Sequence, residues 1–230
     1  MPTGNKLLDA LPRQELERLH PHLQRVQPAF KAPLYEPNEP IEYVYFPIST
    51  VASLINLMAD GTIVETGTVG NEGMVGLPVF LGTVSVPGGS YCQITGEALR
   101  MRADVFREQV VEQAGALHDL LLRYAQAMLV FTSQSVACGQ VHSIRQRASR
   151  WMLHTDDRVR QSEFPLTQEF LSQMLGVRRA SVSEVARQLQ AEGLISYKRG
   201  RITVLDRPGL EQAACECYGI IRREFEKLIG

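Results

Sequence analysis

Between Leu166 and Leu194 the chain reads LTQEFLSQMLGVRRASVSEVARQLQAEGL, a pattern that leaves few folds open. Thr167 is a suitable N-cap, because its hydroxyl can accept from an otherwise orphan helix N–H. Apolar residues follow at helical spacing, Phe170, Leu171, Met174 and Leu175. Gly176 then offers a position where a helix can end left-handed without a Cβ penalty. A second helix is predicted from Arg178 or Arg179, with Val182, Val185, Ala186 and Leu189 on one face. Arg179, Ser183, Glu184 and Arg187 occupy the other, and Gly193 closes the helix. Two short helices across a tight turn form either a plain helical hairpin or a helix-turn-helix, whose second helix enters the DNA major groove.

The residues that follow favour the second reading. Ile195–Tyr197, the basic turn Lys198-Arg-Gly-Arg201 and Ile202–Leu205 are predicted as strand, turn and strand, the wing of a winged helix. Cations at a hairpin tip suit the phosphate backbone, which supplies affinity without sequence information. The pattern T-Q-E…LG…R…V…R-x-L…GLI over the last third of the chain resembles the DNA-binding domain of the Crp/Fnr family of bacterial transcription regulators. The resemblance implies a homodimer, a double-stranded DNA operator with inverted repeats, and RNA polymerase as a partner.

The charge distribution agrees. Net charge is −1 over the 230 residues, but residues 1–142 carry 9 Lys+Arg against 14 Asp+Glu, and residues 143–230 carry 15 against 11. Basic charge therefore gathers where the motif lies. With no apolar run long enough to span a membrane and no leader pattern, a cytoplasmic protein is expected. Four scattered cysteines, Cys92, Cys138, Cys215 and Cys217, give no disulfide framework.

Towards the N-terminus, Leu7 to Leu23 is predicted helical, with Pro12 at a helix start. Short β-like runs come next: Ile41–Phe46, Ser53–Met58, Ile63–Val69, Met74–Leu81, Tyr91–Thr95 and Ala98–Arg102, with a hairpin at Asp60-Gly61. Many short strands argue a barrel, sandwich or jelly roll. Leu117, Leu121, Tyr124, Met128, Phe131, Ser135, Cys138 and His142 then recur at alternating spacings of four and three, a heptad seam. Such a seam packs either on a partner helix or on the β-domain. The family resemblance favours the dimer. The expected class is therefore α+β, with an N-terminal double-stranded β-helix (jelly roll), a long dimerisation helix and a C-terminal winged helix-turn-helix. Domains are expected at residues 1–114 (sensor), 115–142 (dimerisation helix) and 143–230 (DNA binding).

In cyclic-nucleotide-binding members the β-roll holds a phosphate cassette. The matching stretch here is Gly73-Met74-Val75-Gly76, with methionine in place of the ribose-binding glutamate and no following arginine. Ala32 through Leu99 contains no Lys or Arg but seven acids. Anionic nucleotides usually need a cation nearby, so cyclic AMP and cyclic di-GMP are not expected, and the effector is unassigned. No histidine lies between residues 23 and 117, which excludes a metallo-cupin enzyme, and no nucleophile or nucleotide fingerprint is present. No metal or other cofactor is expected. Haem ligation by His118 or His142 stays open, and Cys215-Glu-Cys217 reads as helix packing or a thiol pair. Glu72 reads as a turn residue. A β-barrel enzyme fused to a helical interaction domain, and a scaffold whose winged helix binds only protein, remain as rival classes.

Carried residue by residue onto the family motif, Arg179 takes the place of the guanine-reading arginine. Ala180, Ser183 and Glu184 complete the base-reading face, with Glu184 able to accept from a cytosine or to orient Arg179 or Arg187. Thr167, Gln168, Arg178, Ser181, Lys198, Arg199 and Arg201 are expected on phosphates. Arg145, Arg147 and Arg150 read as a solvated face of the hinge helix or as further contacts.

Overall fold

The structure is a computed structural model that describes residues 2–159 and 163–228. Helices α1 (Lys6–Asp9) and α2 (Arg13–Leu19) open the chain. Asn5 caps α1 with its side-chain oxygen, while its Nδ2 donates to the carbonyls of Pro47 and Gly73, each at 2.9 Å. Pro12 is the N-cap of α2, where its missing N–H costs no helical hydrogen bond. The predicted single helical segment is thus two short helices and a 3₁₀ turn, His20–His22.

Seven strands build the β-domain: β1 (Gln24–Val26), β2 (Pro33–Tyr35), β3 (Tyr43–Pro47), β4 (Val51–Leu57), β5 (Ile63–Val69), β6 (Gly88–Ile94) and β7 (Ala98–Arg102). They form two antiparallel sheets in the orders β1-β7-β3 and β2-β6-β4-β5. Side chains such as Val44, Phe46, Val69 and Met101 fill the interior of this β-roll. The β4–β5 hairpin turns at Asp60-Gly61, as its sequence predicts: Gly61 has φ 84° and the Asp60 carboxylate accepts from the Thr62 amide at 2.9 Å.

One predicted strand is absent. Over Met74–Leu81 only Val75 bridges a strand, at Tyr45. Gly76, at φ 97°, then turns the chain into α3 (Leu77–Phe80). A Cβ at Gly76 would sit 2.9 Å from Val44 Cγ1, so both the turn and the close approach need glycine. Met74, Val75, Val79 and Phe80 are all buried, and periodicity alone cannot separate such an apolar run from a strand.

Helix α4 (Ala103–Phe106) runs into a π turn and then into the long helix α5 (Ala116–Val141). Glu15 caps α5 from outside, accepting from the Ala116 and Leu117 amides at 2.8 and 3.0 Å. The predicted dimer seam faces inward. Leu117, Leu121, Tyr124, Met128, Phe131 and Cys138 are buried within the single chain, and Ser135 is partly buried. Tyr124 donates to the Met74 carbonyl at 3.0 Å. A Cβ at Gly73 would meet Tyr124, and one at Gly67 would meet Phe131. The seam therefore packs on the β-roll, because heptad spacing marks an apolar stripe but not what covers it. The opposite face of α5 exposes Leu122 (52%), Leu129 (64%) and Val136 (63%) at intervals of seven residues.

Helix α6 (Ile144–Asp156) starts with a capping box between Ser143 and Gln146. It leads to β8 (Glu163–Pro165), α7 (Gln168–Leu175), α8 (Arg179–Ala191), β9 (Ile195–Lys198), β10 (Arg201–Val204) and α9 (Arg207–Ala213). The three strands form one antiparallel sheet, β8-β10-β9, over a core that includes Met152, Leu171, Val182, Leu189, Ile202 and Leu210. Finally α10 (Cys217–Glu226) returns antiparallel along α5, stacking Phe225 against Tyr124 and Phe131. Among the described residues no helix is long and apolar enough to cross a membrane.

Candidate nucleic-acid interface

The Thr167 hydroxyl accepts from the Phe170 amide at 3.1 Å, fixing the start of α7. Gly176, at φ 61°, ends that helix, and the chain re-enters a helix at Arg179. Val182, Val185, Ala186 and Leu189 are buried and seat α8 on the domain core. Its outer face shows Arg179, Ala180, Glu184 and Arg187 exposed, with Ser181 and Ser183 half-buried.

Two hydrogen bonds join the separate pieces into one surface. Ser183 Oγ donates to Gln168 Oε1 at 2.5 Å, tying the start of α7 to the second turn of α8. The Leu166 amide donates to the Gly200 carbonyl at 2.8 Å, laying the wing beside the start of α7. At the wing tip Arg199 (φ 51°) and Gly200 (φ 75°) are both left-handed, the conformation of a two-residue hairpin turn matched to strand twist. Lys198 and Arg199 project into solvent there.

The cations at this surface differ in how far they are already engaged. Among the described residues, the side chains of Arg178, Arg179, Lys198 and Arg199 make no hydrogen bond or ion pair. Arg201 is paired with Glu163 across the sheet. Glu184 is held by Arg187 at 2.6 Å and by Gln188 at 2.8 Å, and these two partners keep its carboxyl below the usual range. Glu184 thus engages Arg187, not Arg179. The hinge-helix arginines are occupied within the protein: Arg145 forks onto Glu192 at 2.6 and 2.7 Å, Arg147 donates to the Leu175 carbonyl, and Arg150 donates to Ser135.

Sequence reasoning missed a polar contact between the winged helix and the β-roll. Trp151 Nε1 donates to Glu65 Oε1 at 2.7 Å, and Ser53 Oγ donates to the other oxygen at 2.6 Å. Burial outweighs both bonds and pushes the Glu65 carboxyl up to about 7. Nearby, Arg158 pairs with Glu72 and donates to Thr68. Glu72 also accepts from the Gly70 amide, the turn role its sequence context suggests. Tryptophan and arginine at helix positions carry no mark of a distant carboxylate, so only the fold brings these residues together.

In the cassette stretch Gly73, Met74, Val75 and Gly76 lie under α5 and β3. Met74 and Val75 are each only 1% exposed, so neither offers a side chain to a ligand at the surface. His118 stacks edge-on against Phe80 and has Asp119 beside it. His142 lies next to Cys217.

Residues 146–213 match the family model of the Crp-like helix-turn-helix domain. Comparison with curated proteins gives no sequence match. Among solved structures, FixK2 from Bradyrhizobium japonicum superposes with a TM-score of 0.71 at 16% identity, covering 84% of this chain and 98% of that one. A Crp/Fnr-family transcriptional regulator from Eubacterium rectale superposes with a TM-score of 0.69 at 15% identity, covering 90% and 96%. The c-di-GMP-responsive global regulator CLP of Xanthomonas campestris gives 0.64 at 16% identity, covering 84% and 99%. All three share their fold over nearly their whole length with this chain.

Proposed function

We propose that the chain is a transcription regulator of the Crp/Fnr type, working as a homodimer that reads an inverted repeat in double-stranded DNA under an effector other than cyclic AMP. The observation that carries this reading is the single exposed surface made by α7, α8 and the wing. Among the described residues its cations Arg178, Arg179, Lys198 and Arg199 have no side-chain partner, while the neighbouring arginines are already held within the protein.

On this reading Arg179 forks onto guanine in the major groove, with Ala180, Ser183 and Glu184 facing adjacent bases. Arg178, Lys198 and Arg199 bind phosphates, joined by Thr167, Gln168 and Ser181; Arg201 contributes once Glu163 releases it. Residues 1–114 sense, 115–142 carry the dimer contact, and 143–230 bind DNA in the cytoplasm. The dimer contact falls on the exposed stripe Leu122, Leu129 and Val136, since a seven-residue apolar repeat facing solvent invites a second copy. Burial of Met74 and the lack of cations between Ala32 and Leu99 support an effector that is neutral, cationic or apolar, unlike the cyclic di-GMP to which the Xanthomonas regulator responds.

The test is selection of duplexes from a random pool by the full chain. An enriched inverted repeat with half-sites a whole number of helical turns apart is expected. Recovery of no sequence, together with no salt-dependent shift of any duplex, overturns the reading.

A further inference from the structure

Where α5 ends and α10 begins, four ligand-type side chains converge. Cys138, His142, Cys215 and Cys217 each offer one atom, and these atoms all lie within 4.8 Å of one another. Cys138 Sγ is 3.5 Å from Cys215 Sγ, and Cys217 Sγ is 3.6 Å from His142 Nδ1. All three cysteines are buried, and they form a small cluster separate from both domain cores.

We propose that these four residues are a mononuclear zinc site of the Cys₃His type. A tetrahedral ion with Zn–S near 2.3 Å and Zn–N near 2.05 Å sets S···S edges of about 3.8 Å and S···N edges of about 3.6 Å. These two separations lie near those edges, and the cluster is too tight to span a polynuclear iron–sulfur centre. Three thiolates and an imidazole form a soft donor set, which selects zinc over hard cations. Four protein ligands close the coordination sphere, the mark of a structural rather than a catalytic ion.

The surroundings match those of a metal site as well. His142 turns its second nitrogen, Nε2, to Glu216 at 3.2 Å, the carboxylate–histidine relay that orients a ligating imidazole. Gln134 Nε2 donates to Cys217 Sγ at 3.1 Å, a bond that steadies a thiolate. Local sequence sets the pieces. Cys138 lies in the last turn of α5. His142 follows the last residue of that helix, where its extended backbone (φ −101°, ψ 146°) carries the ring towards α10. Cys215 and Cys217 flank Glu216, the N-cap of α10.

Bound there, the ion staples α10 to the end of α5, next to Ser143, where the chain passes into the DNA-binding half. Glu216 is a positioning residue and makes no contact with the ion.

The full-length protein, purified without chelator or oxidant, should contain one equivalent of zinc per chain by elemental analysis. Exchange for cobalt should give the intense visible bands of a tetrahedral thiolate complex. Cys215→Ser and Cys138→Ser should lose the metal, whereas Cys92→Ser, which removes the one cysteine outside the cluster, should keep it. His142→Cys should retain cobalt with stronger thiolate charge-transfer absorption, a result that misfolding does not mimic. Glu216→Gln should weaken cobalt affinity by about 10–100-fold with the ligands intact. Wild-type protein that has four titratable thiols and takes up neither zinc nor cobalt overturns the proposal. So does a Cys138–Cys215 disulfide in protein isolated anaerobically, or cobalt binding unchanged in Cys215→Ser.

Discussion

Arg158 donates from Nε to Glu72 Oε1 across 2.8 Å, with the two side chains only 5% and 12% exposed. The pair crosses from the DNA-binding half to the β-roll. Further guanidinium bonds go to Thr68 Oγ1 and to the His154 carbonyl, each at 2.9 Å. The Arg158 stem lies on Gly70, where a Cβ would fall 2.6 Å from Cγ. This charge is therefore fully satisfied only while the halves stay docked.

Removing one partner should strand the other. Glu72→Ala is expected to cost about 3–5 kcal/mol, the usual penalty for an uncompensated buried charge. The double variant Glu72→Ala/Arg158→Ala should lose markedly less than the sum of the singles. Urea denaturation of the four proteins measures the coupling; additive losses would show that the pair contributes nothing as a pair.

Glu65 makes the same docking depend on pH. Its docked carboxyl is raised to about 7 from 4.5, foremost by burial. The docked state thus binds a proton more tightly than the undocked state. That stabilisation is complete below the free value and is lost as pH rises through about 7. The docked arrangement should weaken over this window by on the order of 2 kcal/mol, once the carboxyl's partial exposure is allowed for. Glu65→Gln, which imitates the protonated form and still accepts from Trp151, should flatten the dependence. Limited proteolysis in the hinge near Ser143 between pH 5 and 8 checks this, and equal pH profiles for both proteins would rule it out.

These contacts show what the sequence made legible and what it left hidden. The helix-turn-helix, the wing and the Asp60-Gly61 hairpin depend on local rules of capping, glycine and spacing, and those rules act within a few residues. The α5 stripe is also local, so its helix was readable but its partner was not: whether Tyr124 meets another chain or Met74 depends on residues 50 positions away. The metal-type cluster is the extreme case. Cys138 with His142, and Cys215 with Cys217, are each visible as short pairs, yet neither pair has enough ligands alone. Antiparallel return of α10 along α5 completes the set.

The two faces of α5 give opposite expectations on mutation. Leu129→Glu should produce a folded monomer by sedimentation, because like charges would meet across the exposed stripe. Leu121→Glu should instead disrupt the fold, since Leu121 is fully buried within the chain. A Leu129→Glu protein that remains dimeric would remove the stripe from the interface.

Cyclic AMP should not bind. A buried Met74 stands where a ribose-binding carboxylate would be needed, and Ala32 to Leu99 supplies no cation for the phosphate. Calorimetry at millimolar nucleotide is expected to show no heat; saturable binding at micromolar affinity would refute the assignment.

The last expectation separates the two kinds of DNA contact. Arg179→Ala removes a side chain assigned to a base edge, so it should cost about 1–3 kcal/mol per half-site and flatten the preference at one position in each half. Glu184 is engaged by Arg187 and Gln188, so its carboxylate is not holding Arg179. Arg199→Ala, at the wing tip, should weaken binding to all sequences alike. It should also reduce the slope of log affinity against log salt by about 0.9 for each phosphate left unneutralised, hence about two per dimer. Binding of both variants to every single-base change of the operator, at two salt concentrations, resolves the two effects. An Arg179→Ala protein that loses affinity but keeps the wild-type base preferences would move Arg179 to the phosphate backbone and leave the reading of guanine to another residue.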